Sequence, residues 1–327
     1  MQDTHAITPV RPTGVVVIGS LTVDLTAISP RLPRLGETVL GTDFQMVPGG
    51  KGANQALVAG RLGAPTWMVG AVGDDLFRQT VLDGLAAAGV SADHVRTVAD
   101  TPTGIAHIRV DSTGDNDIVM IPLANAALSP SDIDEALAAL TGRVSVALVQ
   151  LEIPIDTAVY AIRAAYSSGL QVVLDPAPAA PLPDAIYALV DVVTPNETEA
   201  ALLTGVDVVD STSAATAGRW FIERGCATAV ITLGAKGAVV VEGDGSSRHY
   251  PGFPVKAVDA TAAGDAFSGA LGTMLASDAG TEAALAWAAA AGALAVTAYG
   301  ASSSLPDRQA VEAFLASPAR PAAGTPA

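Results

Sequence analysis

Cysteine is almost missing from this chain. Cys226 is the only one, so no intrachain disulfide can form and no cysteine-based zinc site can be assembled. Aromatic residues make up only 4% of the chain while half of it is hydrophobic, so the apolar mass is mostly alanine and valine, which suits closely packed α/β layers. Basic residues are scarce too: 17 Lys and Arg stand against 33 Asp and Glu, a formal charge of −16. Such a chain repels phosphodiester backbones, which argues against nucleic acid as a partner. No stretch reaches the ~18 uncharged apolar residues of a membrane span. The nearest, residues 283–298, is too short and reads as a core helix. Residues 1–13 contain Pro9 and Pro12 but no positive start followed by an apolar run, so the expected compartment is the cytoplasm.

Short apolar runs rich in β-branched residues are plentiful. Residues 14–19 (GVVVIG) open the series, followed by 145–150, 171–174, 191–193, 229–233 and 238–241. Each reads as a strand covered on both faces. Helical patterns at 132–140, 157–167, 197–204 and 213–224 alternate with them, which predicts βαβ units and a mostly parallel sheet. Residues 37–47 and 104–121 instead alternate polar with apolar, and the second carries a Gly-Asp-Asn turn between two extended runs. These two segments are expected to form a small β layer over one end of the large one. A single domain over 14–316 is expected, with flexible tails at 1–13 and at the Pro/Ala-rich 317–327.

Three segments carry chemistry. In VDATAAGDAFSGAL, residues 258–271, small residues and Gly264 lead into a helix opened by Asp265. Unpaired amides and the dipole at such a helix start make an anion site. Asp265 would then stand beside the anion, placed to take a proton from an attacking alcohol, or it would simply cap the helix. In GGKGANQALVAG, residues 49–60, glycines permit crowded backbone while Lys51 and Asn54 offer donors to hydroxyl oxygens, as in a loop that grips a polyol. The Walker and G-x-G-x-x-G patterns are both absent. Asp24 and Glu152 follow strands at the ends where an open α/β sheet receives ligand, and each could accept sugar hydroxyls. Asn196 starts a helix as a possible N-cap, and Thr232 and Gly234 end another strand. Asp74 and Asp75 read as a helix start.

GGKGANQALVAGRLGA and DATAAGDAFSGA resemble the two signatures of the ribokinase, or phosphofructokinase-B type, carbohydrate kinases, and TPNETEA and ITLGAKGA match segments between them. The resemblance spans about residues 14–315. It implies a ribokinase-like three-layer α/β/α sandwich with a β-sheet lid, and ATP-dependent phosphorylation of the 5-hydroxyl of ribose. A 2-deoxyribose or another carbohydrate or nucleoside acceptor stays open. On this resemblance Asp265 would be the catalytic base, and Ala262, Ala263 and Gly264 would form the anion hole. Thr22, Val23, Asp24, Gly50, Lys51, Gly52, Ala53, Asn54 and Glu152 would surround the sugar. Asn196, Thr232, Leu233, Gly234, Ala235, Lys236, Gly237 and Ala289, with Gly264 and Asp265, would line the nucleotide. Mg2+ would accompany ATP, and a potassium ion would sit at Asp259, Thr261, Ala295, Ala298, Gly300 and Ser304. Chains of this kind commonly pair as homodimers through their lids. Thr22 stands where some members have Asn, and Asp175 stands in DPAPA where Asn is frequent.

Overall fold

The computed structural model describes residues 12–317 and 325–326. The chain opens with β1 (Gly14–Ile18), leaves for β2 (Thr22–Ile28) and β3 (Asp43–Gly49), and turns into helix α1 (Lys51–Arg61). Next come β4 (Thr66–Gly73), α2 (Leu76–Ala87), β5 (Val90–Val98), β6 (Gly104–Val110) and β7 (Asn116–Ile121). After α3 (Pro130–Ala139) the alternation is regular: β8 (Val144–Gln150), α4 (Ile155–Ser167), β9 (Gln171–Asp175), β10 (Val192–Val193), α5 (Glu197–Thr204), α6 (Ser211–Ile222) and β11 (Thr228–Thr232). A meander of β12 (Ala238–Glu242) and β13 (Ser247–Tyr250) precedes α7 (Ala263–Ala276), α8 (Thr281–Ala295), α9 (Arg308–Leu315) and β14 (Thr325–Pro326).

Two sheets result. The large one runs β14-β13-β12-β11-β10-β9-β8-β1-β4-β5, parallel from β11 to β5 and antiparallel across β12 to β14. Alternate side chains of its strands enter different cores. Val15, Val17, Val146 and Leu148 pack with helices α1, α7 and α8 on one face, while Val16, Ile18, Ala147 and Val149 pack with α3, α4 and α6 on the other. That alternation of wholly apolar strands makes the middle layer of a three-layer sandwich. Among the described residues no helix is long and apolar enough to cross a membrane.

The small sheet, ordered β3-β2-β6-β7, differs from expectation in one respect. Residues 104–121 form the predicted hairpin, β6 with β7. The other contributor, however, is centred on β2, which pairs antiparallel with β3 and parallel with β6. The seven residues of β2 (TVDLTAI) alternate Val23, Leu25 and Ala27 with Thr22, Asp24 and Thr26, a strand pattern that the expected β layer omits. Residues 37–42 are not strand; Glu37 there is tied to Arg31 by a salt bridge. Most of the expected tails, residues 1–11, 318–324 and 327, lies outside the described residues. Thr325–Pro326, expected as tail, pairs with the exposed edge of β13, which offers free backbone groups.

The junction between the sheets is held by Asn125. Its Oδ1 accepts from the Leu21 amide (2.8 Å), and its Nδ2 donates to the carbonyls of Leu21 (2.8 Å) and Pro122 (3.0 Å). This fully buried amide thus imitates a neighbouring strand for the residue between β1 and β2. Asn125→Ala should leave the buried Leu21 N–H and C=O unpaired and lower stability by about 2 to 4 kcal/mol, read as a fall of roughly 5 °C or more in thermal midpoint. An unchanged midpoint would show that the junction is held elsewhere.

Candidate active site

Helix α7 starts from Ala262, whose φ of 60° is left-handed and swings the preceding loop into the helix. The Ala263 amide turns back to the Ala260 carbonyl (3.3 Å), whereas among the described residues the amides of Gly264 and Asp265 meet no acceptor. A side chain added at Gly264 would meet nothing within 4 Å, so this corner is open. The result is a pair of free N–H groups at the positive end of a helix of 14 residues.

Asp265 lies in the first turn of α7 but does not cap it. Its Oδ2 accepts from Asn54 Nδ2 (2.9 Å), while Oδ1 faces Gln55 Nε2 (3.4 Å) and Lys51 Nζ (3.7 Å). All three donors come from α1. That helix starts at Gly50, where φ of 89° excludes most other residues. It crosses α7 closely at Gly269, where a Cβ would lie 2.7 Å from the Gln55 carbonyl oxygen. A bare glycine at the crossing therefore sets the reach from the α1 donors to the carboxylate.

Two further carboxylates close the cleft. Glu152 Oε2 accepts from Ser20 Oγ (2.6 Å) and from the Lys51 amide (2.9 Å), tying the loop after β8 to the start of α1. Asp24, expected just after a strand, sits within β2, 5% exposed, and accepts from Thr22 Oγ1 (3.0 Å). Burial, with the Thr22 hydrogen bond opposing it and Glu152 and Asp265 adding repulsion, pushes its pKa up to about 7. Gly49 has no room for a side chain, since a Cβ would fall 1.8 Å from Asp24 Oδ1. Burial works against a charge on Lys51, but Asp175, Asp265, Glu152 and Glu199 outweigh it and hold the ammonium well above the usual lysine range. Val23 and Ala53 turn their side chains into the core, and the Gly52 amide meets Ser20 Oγ (3.3 Å).

Farther along the same strand ends, Asn196 and Thr232 are joined by a parallel bridge. Asn196 caps α5: its Oδ1 takes the Glu199 amide, and Glu199 Oε2 takes the Asn196 amide, both at 2.9 Å. Leu233 is buried in the core, Gly234, Ala235 and Lys236 form an exposed turn, and Gly237 closes it with φ of 96°. Lys236 Nζ bonds the Val209 carbonyl (3.1 Å), and Ala289 packs half-buried on α8. Asp259 joins two loops, Oδ1 accepting from the Thr261 amide (2.9 Å) and hydroxyl (2.6 Å) and Oδ2 from the Gly300 amide (2.9 Å). Ala295 ends α8, Ala298 is exposed, and the buried Ser304 bonds the Ala301 carbonyl (3.0 Å). No grouping of three or more His, Cys, Asp or Glu among the described residues is set to hold a metal. Asp75 caps α2, as expected.

The chain matches the model of the pfkB family of carbohydrate kinases over residues 12–308. It belongs to that family. Among curated relatives it is 41% identical to the ribokinase of Haemophilus influenzae over 299 residues, 91% of this chain and 97% of that protein. It is 36% identical to the deoxyribokinase of Salmonella typhi over 302 residues, 92% of this chain and 98% of that protein. Among solved structures, the ribokinase of Arabidopsis thaliana in complex with ribose and ATP superposes with a TM-score of 0.84 at 31% identity, covering 94% of this chain and 99% of that one. The fold is the ribokinase-like α/β fold.

This pfkB kinase also gathers residues that the motifs did not reveal. Ser20, Gln55, Gln150 and Asp175 join the cleft by hydrogen bonds to Glu152, to each other and to Asp265. The available signal was a polar residue ending an apolar strand, Gln150 after VSVALV and Asp175 after QVVL. Asp24 gives a pH prediction. With a native pKa near 7 against 3.8 unfolded, the folded state holds the proton more tightly, so this group withdraws stability as pH rises from about 4 to 7. Asp24→Asn cannot ionise there. Its thermal midpoint relative to the parent should therefore be higher near pH 8 than near pH 5, without sugar; a difference independent of pH would mean that Asp24 ionises normally.

Proposed function

We propose that this kinase is a ribokinase, transferring the γ-phosphoryl group of ATP to the 5-hydroxyl of D-ribose to give ribose 5-phosphate and ADP, with residues 14–316 as one domain lidded by the small sheet. The observation that carries the reading is the placement of Asp265. A buried carboxylate, gripped by Asn54, Gln55 and Lys51, stands in the first turn of α7 beside two unpaired amides. In this reading the 5-hydroxyl gives its proton to Asp265 as its oxygen attacks the γ-phosphorus, the bond to the departing ADP oxygen breaks, and the amides of Gly264 and Asp265 take up charge on the moving group. General-base assistance is worth about 10²- to 10⁴-fold and each preorganised donor roughly 10²- to 10³-fold. Asp24, Lys51, Asn54 and Glu152 would hold the sugar hydroxyls, with Thr22, Gly50 and Gly52 shaping the pocket. Asn196, Thr232, Ala289 and the turn 233–237 would line the nucleotide.

Two cations belong to the proposal. Mg2+, held by the nucleotide phosphates, would neutralise their charge. Potassium suits the oxygen-rich corner of Asp259, Thr261 and Ser304 at the C-terminal end of α8, where helix carbonyls favour a cation. A second acceptor, 2-deoxyribose, is favoured by the Thr22 hydroxyl, which already occupies Asp24 Oδ1 and leaves fewer acceptor sites for sugar hydroxyls. The proposal also includes a homodimer. Register places Phe44, Met46, Val119 and Ile121 on one face of the small sheet, with exposures of 60, 47, 60 and 39%. An apolar patch of that kind marks an interface.

A coupled ADP-release assay with D-ribose and 2-deoxy-D-ribose, with and without potassium, tests the chemistry. Turnover of ribose that falls when potassium is omitted is expected, and Asp265→Asn should lose about 10²-fold or more in kcat while sugar and nucleotide still bind. Near-parental turnover by Asp265→Asn would remove it from the role of base. For the assembly, the double variant Phe44→Glu, Met46→Glu should convert a dimer into a monomer in light scattering coupled to size exclusion; a parent that is monomeric at micromolar concentration would refute the dimer.

A further inference from the structure

Gln55, 1% exposed on α1, makes three polar contacts with one amide. Gln150 Nε2 donates to Gln55 Oε1 (2.6 Å), and Gln55 Nε2 donates to Asp175 Oδ2 (2.8 Å) and reaches Asp265 Oδ1 (3.4 Å). The orientation follows from chemistry, because ionised carboxylates only accept. The NH2 of Gln55 must face the two acids, and its oxygen is left for Gln150. Lys51 Nζ repeats the bridge, 3.7 Å from each of the same two oxygens. Asp175 and Asp265 are therefore joined edge to edge by one amide and one ammonium. Asp175 is 4% exposed at the end of β9, and the phosphoryl transfer proposed above gives it no part.

We propose that Asp175 is a positioning residue for the base: through Gln55 and Lys51 it fixes the place of the Asp265 carboxylate. The proposal rests on the reading of Asp265 as the base. One amide and one ammonium are shared between two acids, so the Asp175 carboxylate fixes the place from which Gln55 and Lys51 reach Asp265. The other charged groups in the cleft are Glu152 after β8, Asp24 on β2 and Glu199 on α5, all acidic, so among the described residues Lys51 is the one cation holding the pair. Burial drives the Asp175 carboxyl above the usual range while Lys51 draws it back, as expected for two acids competing for one partner.

Two variants separate charge from contact. Asp175→Asn keeps an acceptor for Gln55 and removes the charge. Its kcat should stay within about threefold of the parent, with KM for ribose and ATP within about twofold, because the contact survives. Asp175→Ala removes the acceptor as well, and kcat on the pH plateau should fall about tenfold with both KM values little changed, as expected for a displaced base. Carbon-13 carboxyl NMR of aspartate-labelled protein, with the Asp265 signal assigned through Asp265→Asn, reads the surroundings of that carboxylate without turnover; at one fixed pH the signal should move in Asp175→Ala. A parental kcat in Asp175→Ala, or an Asp265 signal that does not move there, would overturn the proposal. If the parent phosphorylates no sugar, the reading of the function falls, while the NMR signal still decides whether Asp175 positions Asp265.

Discussion

Burying carboxylates together is unfavourable unless a cation or hydrogen-bond donors hold them, and here that duty falls on Lys51 and the amides of Asn54 and Gln55. The rest of the cleft follows from it. Lys51 must enter from the start of α1, so Gly50 adopts a backbone that glycine favours and Glu152 takes the Lys51 amide. The donors reach Asp265 only because α1 and α7 touch at Gly269 without a side chain between them. An ammonium held this firmly is a fixed positive charge in a chain that otherwise carries a large excess of acid.

Several of these features were legible along the chain, for a local reason. A loop of small residues followed by an acid and an apolar-periodic helix is dictated by neighbouring residues, so the start of α7 and the start of α1 could be placed from the segments around Gly264 and Gly50. The parallel layer was legible as well, because strands such as VVVI and VSVALVQ are apolar on both faces. What stayed hidden depends on distant partners. Strand β2 carries a local alternation in TVDLTAI, but its pairing with β3 and β6 is set by distant residues. Gln55 meets Gln150 and Asp175 across 95 and 120 residues, a separation that no spacing rule covers. Asn196 shows the opposite lesson: its capping role was visible locally, and its bridge to Thr232 was not.

The likeness to other pfkB kinases adds the scale on which these details matter. A ribokinase 41% identical and a deoxyribokinase 36% identical both match this chain along nearly their whole length, so the frame is shared while single side chains at the cleft make their own contacts. Thr22 is one, through its hold on Asp24. Asp175 is another, through its hold on Gln55 and Lys51. Neither alters the layers that carry it.

Asp24 belongs to the small sheet and Asp265 to the large one, with Asn125 pinning the turn where the chain passes between them. A pentose held by both acids would consequently act as a rivet through two plates. Its arrival would tighten their seam as well as fill a pocket, and part of its binding free energy would reappear as resistance of the whole molecule to unfolding.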